Sequence, residues 1–155
     1  MKFTLNFFDF ISIVKVTGLI YISIFQTKRR KLMAITIHLR GGVPILEPNG
    51  KIVGPVVSEL REKLALWLDD ANAPYLLINF EHIHKIDSSC LGMLVHVHDM
   101  AARKGTRIGL INVGKHIKNL LILSRLMNVF EHFDTEDAAI SAFATAPKWK
   151  RHLNL

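Results

Sequence analysis

A short polar run in the middle of the chain holds the side chains best suited to chemistry. The run reads Ile86-Asp87-Ser88-Ser89-Cys90-Leu91-Gly92. It follows an apolar strand and opens an amphipathic helix, so we expect it at the carboxyl edge of a sheet, where open α/β folds present functional groups. The positive N-terminal end of that helix favours a phosphate on a serine. Because phosphoserine adds about 1.5 to 2 negative charges, the run predicts a site where phosphorylation rejects a docked partner.

Helix capping is the simpler function for the same polar residues. Asp87 or one of the serines can accept hydrogen bonds from the first amides of the helix, which stabilises it by about 1 kcal/mol. Both functions hold together if Asp87 caps the helix and the Ser88 hydroxyl stays free. A hydrogen bond from the capping amides to Ser88 would contradict that combination.

The elements that must position this run alternate between strands and helices. Apolar residues alternate with polar ones over 35–39, and a Gly-Gly turn precedes residues 43–47, which predicts an opening β-hairpin. A near-continuous apolar run over 75–80 predicts a central strand that is covered on both faces. The other predicted elements are a strand over 51–53 after an interruption at Pro48-Asn49-Gly50, a helix from Pro55 that Pro74 ends, helices over 90–104, 115–126 and 135–143, and strands over 107–112 and 129–133. This order predicts an α/β fold with a mixed, mostly parallel sheet of about four to five strands and about four helices.

The formal charge of +7 is concentrated at the N-terminus. Six basic residues and one acidic residue precede Met33, whereas 14 basic and 12 acidic residues follow and leave +2. A phosphate-backbone interface needs lysines and arginines clustered on one face, so the nearly balanced body argues against direct binding of nucleic acid.

Residues 1–32 contain no Ala, Pro, Glu or His, unlike the rest of the chain. An abrupt shift of this kind is typical of a mis-assigned start, in which case Met33 is the true beginning. A membrane anchor is the second interpretation, with Lys28-Arg29-Arg30-Lys31 on the cytoplasmic side, and an ordered extension is the third. The basic residues follow the apolar run, which argues against a secretory signal. We assign residues 33–144 to one domain and 145–155 to a basic tail.

Neither a metal centre, a cofactor nor a catalytic site is predicted. The one cysteine forms no internal disulfide and suits a reducing cytosol. His96 and His98 are two apart on a helix and point to different faces, while His82 and His84 could share a strand face but have no third ligand in view. The serines lack a Gly-x-Ser-x-Gly elbow, and the chain has no complete phosphate-binding Gly-x-x-x-x-Gly-Lys-Ser/Thr loop, since His116 follows the Gly-x-x-x-x-Gly-Lys run over 109–115. The sequence therefore predicts a protein-binding module and no enzyme.

The helix after the polar run carries two apolar faces. A step of about 100° per residue places one set on the predicted core face. That set is Leu91, Leu94, Val95, His98, Ala101 and Ala102. The second face is a strip with methionines, which suit adaptable docking surfaces, and packing of this strip beneath the following helix is the alternative. The predicted partner-binding residues are Cys90, Gly92, Met93, His96, Val97 and Met100.

The chain closely resembles the STAS domain of bacterial anti-sigma factor antagonists. The resemblance rests on the Asp-Ser-Ser-x-Leu-Gly run after an apolar strand, the hairpin that ends in Asn49-Gly50-Lys51-Ile52, and the order of four helices over about residues 33–144. It implies that Ser88 is phosphorylated by an anti-sigma factor that is also a serine kinase. Ser89 corresponds to the neighbouring Ser or Thr of the family. Cys90 departs from the usual glycine, and its thiol is expected to add bulk where a partner approaches.

The function implied by this resemblance is a phosphorylation-controlled switch in the cytoplasm. The unphosphorylated form binds the anti-sigma factor kinase and frees a sigma factor, phosphorylation of Ser88 abolishes the binding, and a serine phosphatase restores it. The alternative is a STAS subunit of a membrane-associated complex such as a lipid-transport ATPase. Contact with a membrane is expected only if residues 1–32 are a real anchor.

Overall fold

The structure is a computed structural model that describes residues 22–23, 34–70 and 73–145. The start, anchor and extension interpretations of residues 1–32 therefore fall almost entirely outside the described residues, and so does the basic tail beyond residue 145. Within the described ranges, no helix is both long and apolar enough to cross a lipid bilayer.

Seven β-strands and four α-helices are present in the described part of the chain. The strands are β1 (Ile22–Ser23), β2 (Ala34–Arg40), β3 (Val43–Ile52), β4 (Tyr75–Asn79), β5 (Ile83–Ile86), β6 (Arg107–Ile111) and β7 (Glu131–Phe133). The helices are α1 (Pro55–Asp70), α2 (Ser88–Arg103), α3 (Lys115–Leu123) and α4 (Glu136–Thr145), with a 3₁₀ turn over Leu126–Asn128. The predicted α/β class, opening hairpin and four helices are confirmed.

The sheet is mixed and mostly parallel, as predicted. Its strands follow the order β1-β2-β3-β4-β6-β7, and β5 pairs with the end of β3. The pairs β1–β2 and β2–β3 are antiparallel, whereas β3–β4, β3–β5, β4–β6 and β6–β7 are parallel. The predicted count of four to five strands is too low, because β1 and β5 were not predicted. Strand β1 has only two residues, and β5 has four, of which only Ile83 and Ile86 are buried. Strands this short carry little periodic signal.

The predicted interruption at Pro48-Asn49-Gly50 is wrong, because β3 passes through it as one strand of ten residues. Its first part pairs with β2 and β4, and its last three residues pair with β5. The register shifts between Gly50 and Lys51, where Gly50 has a φ of 112°. This bulge lets one strand change partners, and it brings β5 and the polar run beside the start of α1.

The two faces of the sheet carry separate hydrophobic clusters. The larger cluster lies beneath α1, α2 and α3 and includes Ile37, Leu46 and Leu76. The smaller lies beneath α4 and includes Ile45 and Leu77, the alternate residues of the same strands. Every residue of β4 is buried, which confirms the central strand predicted from its apolar run.

Several helix boundaries differ from the predicted ones, three of them informatively. Helix α1 ends at Asp70, before Pro74 is reached, and α2 begins at Ser88, two residues before its predicted start. Helix α3 ends at Leu123 rather than 126 because Arg125 adopts a left-handed conformation with a φ of 60°. Residues in that conformation end a helix. The early start of α2 places both serines in its first turn.

Candidate functional site

The side chain of Asp87 joins the beginnings of two helices. Its Oδ1 accepts a hydrogen bond from the backbone amide of Cys90 at 3.0 Å, which makes Asp87 the N-cap of α2. Its Oδ2 accepts from the backbone amide of Gly54 at 2.9 Å, one residue before α1. Both carboxylate oxygens are therefore used to hold the α1 and α2 N-termini together. The sequence-based role of Asp87 as a helix cap agrees with this geometry.

The hydrogen bonds also favour the ionised form of Asp87. The amides of Gly54 and then Cys90 hold the pKa of its carboxyl below the ordinary value, and burial opposes them only in part. Hydrogen bonds to a carboxylate stabilise its charged form. Asp87 therefore places a negative charge beside the two serines.

Ser88 and Ser89 are exposed residues in the first turn of α2. Asp87 accepts the capping amide, and among the described residues the Ser88 hydroxyl makes no hydrogen bond with a side chain or backbone group. The combination in which Asp87 caps and Ser88 stays free is therefore the one that the structure contains. Neither Ser88 nor Ser89 caps the helix through its side chain in this turn.

A surface groove of about 490 Å³ opens between the first turns of α1 and α2. Its lining residues are Gly54, Pro55, Val57, Ser58, Arg61, Ser89, Gly92 and Met93. Ser89 and Gly92 form part of the α2 wall, and Arg61 supplies a cation on the α1 wall. The groove is thus lined by both polar and apolar residues with one basic side chain, and it includes Ser89 of the exposed serine pair.

The expected bulk of Cys90 on the partner-facing surface is wrong. Its side chain has 0% exposure and lies in the core cluster beneath α1–α3. Burial, and to a smaller extent the charge of Asp87, raises the pKa of the thiol to about 12. Because the reactive form of cysteine is the thiolate, Cys90 packs as a small apolar side chain and does not face a partner or a redox reagent.

The predicted faces of α2 are rotated relative to the observed ones. Met93 is 4% exposed and Val97 is 0% exposed, so neither belongs to an exposed strip, and Met100 is half-buried against the same core. Val95, which we expected in the core, is 44% exposed. The buried face is centred on Cys90, about one 100° step from the predicted one, because the sheet and α1 lie on that side.

Gly92 and His96 are the predicted partner-binding residues that lie exposed on α2. A β-carbon added at Gly92 would meet no atom within 4 Å, which shows an open surface above this turn. Of the docking surface predicted along the methionine strip, only Gly92, which lines the groove, and His96 are therefore exposed. Binding of a partner at Gly92 and His96 stays a prediction.

Sequence reasoning missed the contribution of α1 to this site. The Gly54-Pro55 pair indicated a helix start, and the Asp87 run indicated a second one, but 33 residues separate the hydrogen-bonded pair Gly54 and Asp87. They meet because β3 pairs in parallel with β5, so both strands deliver their following helices to the same edge. A strand prediction for 83–86 would have been the signal that locates Arg61 and Ser58 beside Ser89.

The fold and the site together define a small α/β binding module with an exposed serine at a helix N-terminus. The family model described as "STAS domain" matches residues 34–139. The chain belongs to the STAS domain family. This confirms the family resemblance found in the sequence.

Solved structures share the fold at low sequence identity. An anti-sigma factor antagonist from Mycobacterium paratuberculosis has a TM-score of 0.65 at 19% identity, over 75% of this chain and 97% of that one. The anti-sigma factor antagonist SpoIIAA in its unphosphorylated form has a TM-score of 0.58 at 18% identity, over 72% and 99%. The Bacillus cell fate determinant SpoIIAA in its phosphorylated form has a TM-score of 0.57 at 19% identity, over 71% and 99%.

Proposed function

We propose that this protein is an anti-sigma factor antagonist whose protein binding is switched by phosphorylation of Ser88. The observation that carries the proposal is that, at the start of α2, Asp87 binds the amides of Gly54 and Cys90 while the Ser88 hydroxyl is exposed. A kinase can therefore reach the acceptor oxygen without disturbing the cap.

A phosphate on Ser88 would change the surface more than the fold. The Cys90 amide is already bonded to Asp87, and that carboxylate is ionised, so the phosphate is directed away from the cap and toward solvent. The positive end of the α2 dipole still favours the added charge. About 1.5 to 2 negative charges beside the groove are enough to repel a partner that docks on the neutral hydroxyl.

The relatives support this role. Two of the solved structures with this fold are described as SpoIIAA, an anti-sigma factor antagonist, in its unphosphorylated and its phosphorylated form. By analogy, the unphosphorylated chain binds an anti-sigma factor that is a serine kinase and thereby frees a sigma factor in the cytoplasm. A serine phosphatase acting on Ser88 restores the binding. The STAS subunit of a lipid-transport ATPase is not favoured, since the relatives are described as anti-sigma factor antagonists.

The proposal is tested by capture of partners from the native cytosol with four forms of the full chain. They are wild type, Ser88→Ala, Ser88→Asp and the matched control Ser141→Asp, which adds the same charge at an exposed position of α4 on the opposite face. We expect wild type, Ser88→Ala and the control to retain an anti-sigma factor, identified by mass spectrometry, and Ser88→Asp to lose it.

A second measurement checks the acceptor itself. After incubation with the captured partner and ATP, wild type should gain the mass of one phosphate and Ser88→Ala should gain none. Retention of every wild-type partner by Ser88→Asp would overturn the charge switch, and phosphorylation of Ser88→Ala would move the acceptor elsewhere, Ser89 being the nearest hydroxyl.

A further inference from the structure

Three side chains from separate elements converge on the α4 face of the sheet. His38 lies on β2, Glu47 on β3 and Glu136 at the start of α4. One ligand atom from each of the three residues lies within 4.8 Å of the other two. All three are partly buried, with side-chain exposures of 23%, 20% and 19%.

Each carboxylate has one oxygen held by a neighbour and one directed at the histidine. Glu47 Oε1 accepts from Asn79 Nδ2 at 2.7 Å, and Glu136 Oε2 accepts from Arg40 Nη1 at 2.8 Å. The remaining oxygens, Glu47 Oε2 and Glu136 Oε1, lie 3.9 Å from the Nδ1 and Nε2 atoms of His38. A separation of 3.9 Å is too long for a hydrogen bond, so the free oxygens and the ring face one another without being bonded.

The imidazole is unsatisfied in this arrangement. Its Nδ1 atom is buried and has no hydrogen-bond partner among the described residues. A buried polar atom without a partner costs about 1 to 3 kcal/mol, which an additional bound group would relieve. An ion bound to the unpartnered Nδ1 would lie on the Glu47 side of the ring, and Glu136, which faces Nε2, would have to turn toward it.

We propose that His38, Glu47 and Glu136 bind one divalent first-row transition-metal ion, with Zn²⁺ as the representative. Imidazole nitrogen and carboxylate oxygen are ordinary ligands of Zn²⁺ at about 2.0 to 2.2 Å, so two ligands of one ion lie at most about 4.4 Å apart. The ligand atoms are up to 4.8 Å apart, which exceeds that limit, so the three side chains would have to move closer together to bind one ion. Three protein ligands leave a coordination position for water.

The surroundings favour a cation there in spite of Arg40. The guanidinium binds both Glu136 and Asp137, with the Arg40 Nη2 to Asp137 Oδ1 distance at 2.6 Å. Together with Glu47 there are three carboxylates against one guanidinium, so the charge is negative when His38 is neutral.

The proposed ligands are also held in place from behind. Asn79, which is 2% exposed, donates to Glu47 and accepts from Asn112 Nδ2 at 3.0 Å. Outer hydrogen bonds of this kind orient metal ligands, and their loss typically weakens metal binding by about 10- to 100-fold. The ion would join the N-terminus of α4 to the β2–β3 hairpin, on the sheet face opposite α2. The inference is therefore independent of the proposed function of Ser88.

Zinc titration of the untagged full chain tests the site. Isothermal calorimetry should give one Zn²⁺ per chain, and Zn²⁺ should raise the midpoint of thermal unfolding. The isosteric variants Glu47→Gln and Glu136→Gln keep an acceptor for Asn79 and Arg40 but lose the anionic ligand, so each should bind Zn²⁺ at least about tenfold more weakly. His38→Gln should do the same.

The matched control is the double variant His82→Ala, His84→Ala, which removes two exposed histidines at β5 and should keep wild-type affinity. Loss of binding in this control with retention in His38→Gln would overturn the site. Failure of Zn²⁺, Mn²⁺ and Co²⁺ to bind wild type would overturn it as well. In Co²⁺-loaded wild type, we expect visible d–d absorption bands that are weakened in Glu136→Gln.

Discussion

Polar side chains on the two faces of the central sheet are held in place by different kinds of contact. On the face covered by α1–α3, Asp87 is fixed by backbone amides of two helix starts, and the exposed Ser88 is its neighbour in the chain. On the face covered by α4, His38, Glu47 and Glu136 are brought together from three elements, and the two carboxylates are fixed by other side chains. Backbone amides belong to any sequence, so the first arrangement depends on few side chains, whereas the second depends on each of its members.

The two faces also differ in the core beneath them. The cluster beneath α1–α3 contains 25 buried residues, whereas the cluster beneath α4 contains seven. Fewer side chains can therefore shift to accommodate added volume in the smaller cluster. A glycine on each side makes the difference measurable. Gly109 on β6 packs against the side chains beneath α4, and Gly92 on α2 faces open solvent beside the groove.

The largest effect on stability is expected for Gly109→Ala. The added β-carbon would lie 2.8 Å from Leu77 Cδ2 and 3.3 Å from atoms of Phe133 and Phe143. Overpacking a closed core costs about 1 to 3 kcal/mol, so the free energy of unfolding should fall by that amount in urea titration. An unchanged midpoint of urea unfolding would mean that the side chains beneath α4 can shift to accommodate the added methyl group.

A smaller effect, dependent on pH, is expected for Asp87→Asn. The folded-state pKa of Asp87 is lowered, so its ionised form stabilises the fold above the unfolded pKa of about 3.9 and that stabilisation is lost as the pH falls through the folded-state pKa. The variant should therefore be less stable than wild type at neutral pH, and the difference should shrink in acid. Urea unfolding at neutral and acid pH measures this difference.

The matched control for that experiment is Asp134→Asn, which changes an exposed carboxylate before α4. Its stability difference from wild type should be smaller than that of Asp87→Asn at neutral pH. A difference for Asp87→Asn that persists undiminished in acid would contradict the amide-bound carboxylate as its cause.

The smallest effect, and of opposite sign, is expected for Gly92→Ala. Alanine is favoured over glycine inside a helix by about 0.8 to 1.0 kcal/mol, and at this position the added β-carbon meets nothing within 4 Å. The free energy of unfolding should therefore rise by up to that amount. If the same variant loses its partner in cytosol capture while remaining folded, the α2 wall of the groove is the docking surface; destabilisation would show that the turn is not open.

Local patterns in the sequence determined much of the main site. The Asp-Ser-Ser run limited the cap to Asp87 or a serine and allowed an Asp87 cap beside a free Ser88 hydroxyl, because capping involves residues three apart on one helix turn. The apolar run over 75–80 identified the central strand, since a strand covered on both faces is apolar along nearly its whole length and the run is too short for a helix. These features depend on neighbours in the chain, and so they could be predicted from it.

Only the tertiary structure decided which side of each element is covered. The spacing on α2 allowed two apolar faces, and the position of the sheet selected the one with Cys90, Met93 and Val97. Likewise, pairing of β3 with β5 brought Gly54 to Asp87, and pairing of β2 with β3 brought His38 toward Glu47. Helical periodicity fixes the angle between residues but not the direction of the core, and strand pairing joins residues whose separation in the chain carries no signal.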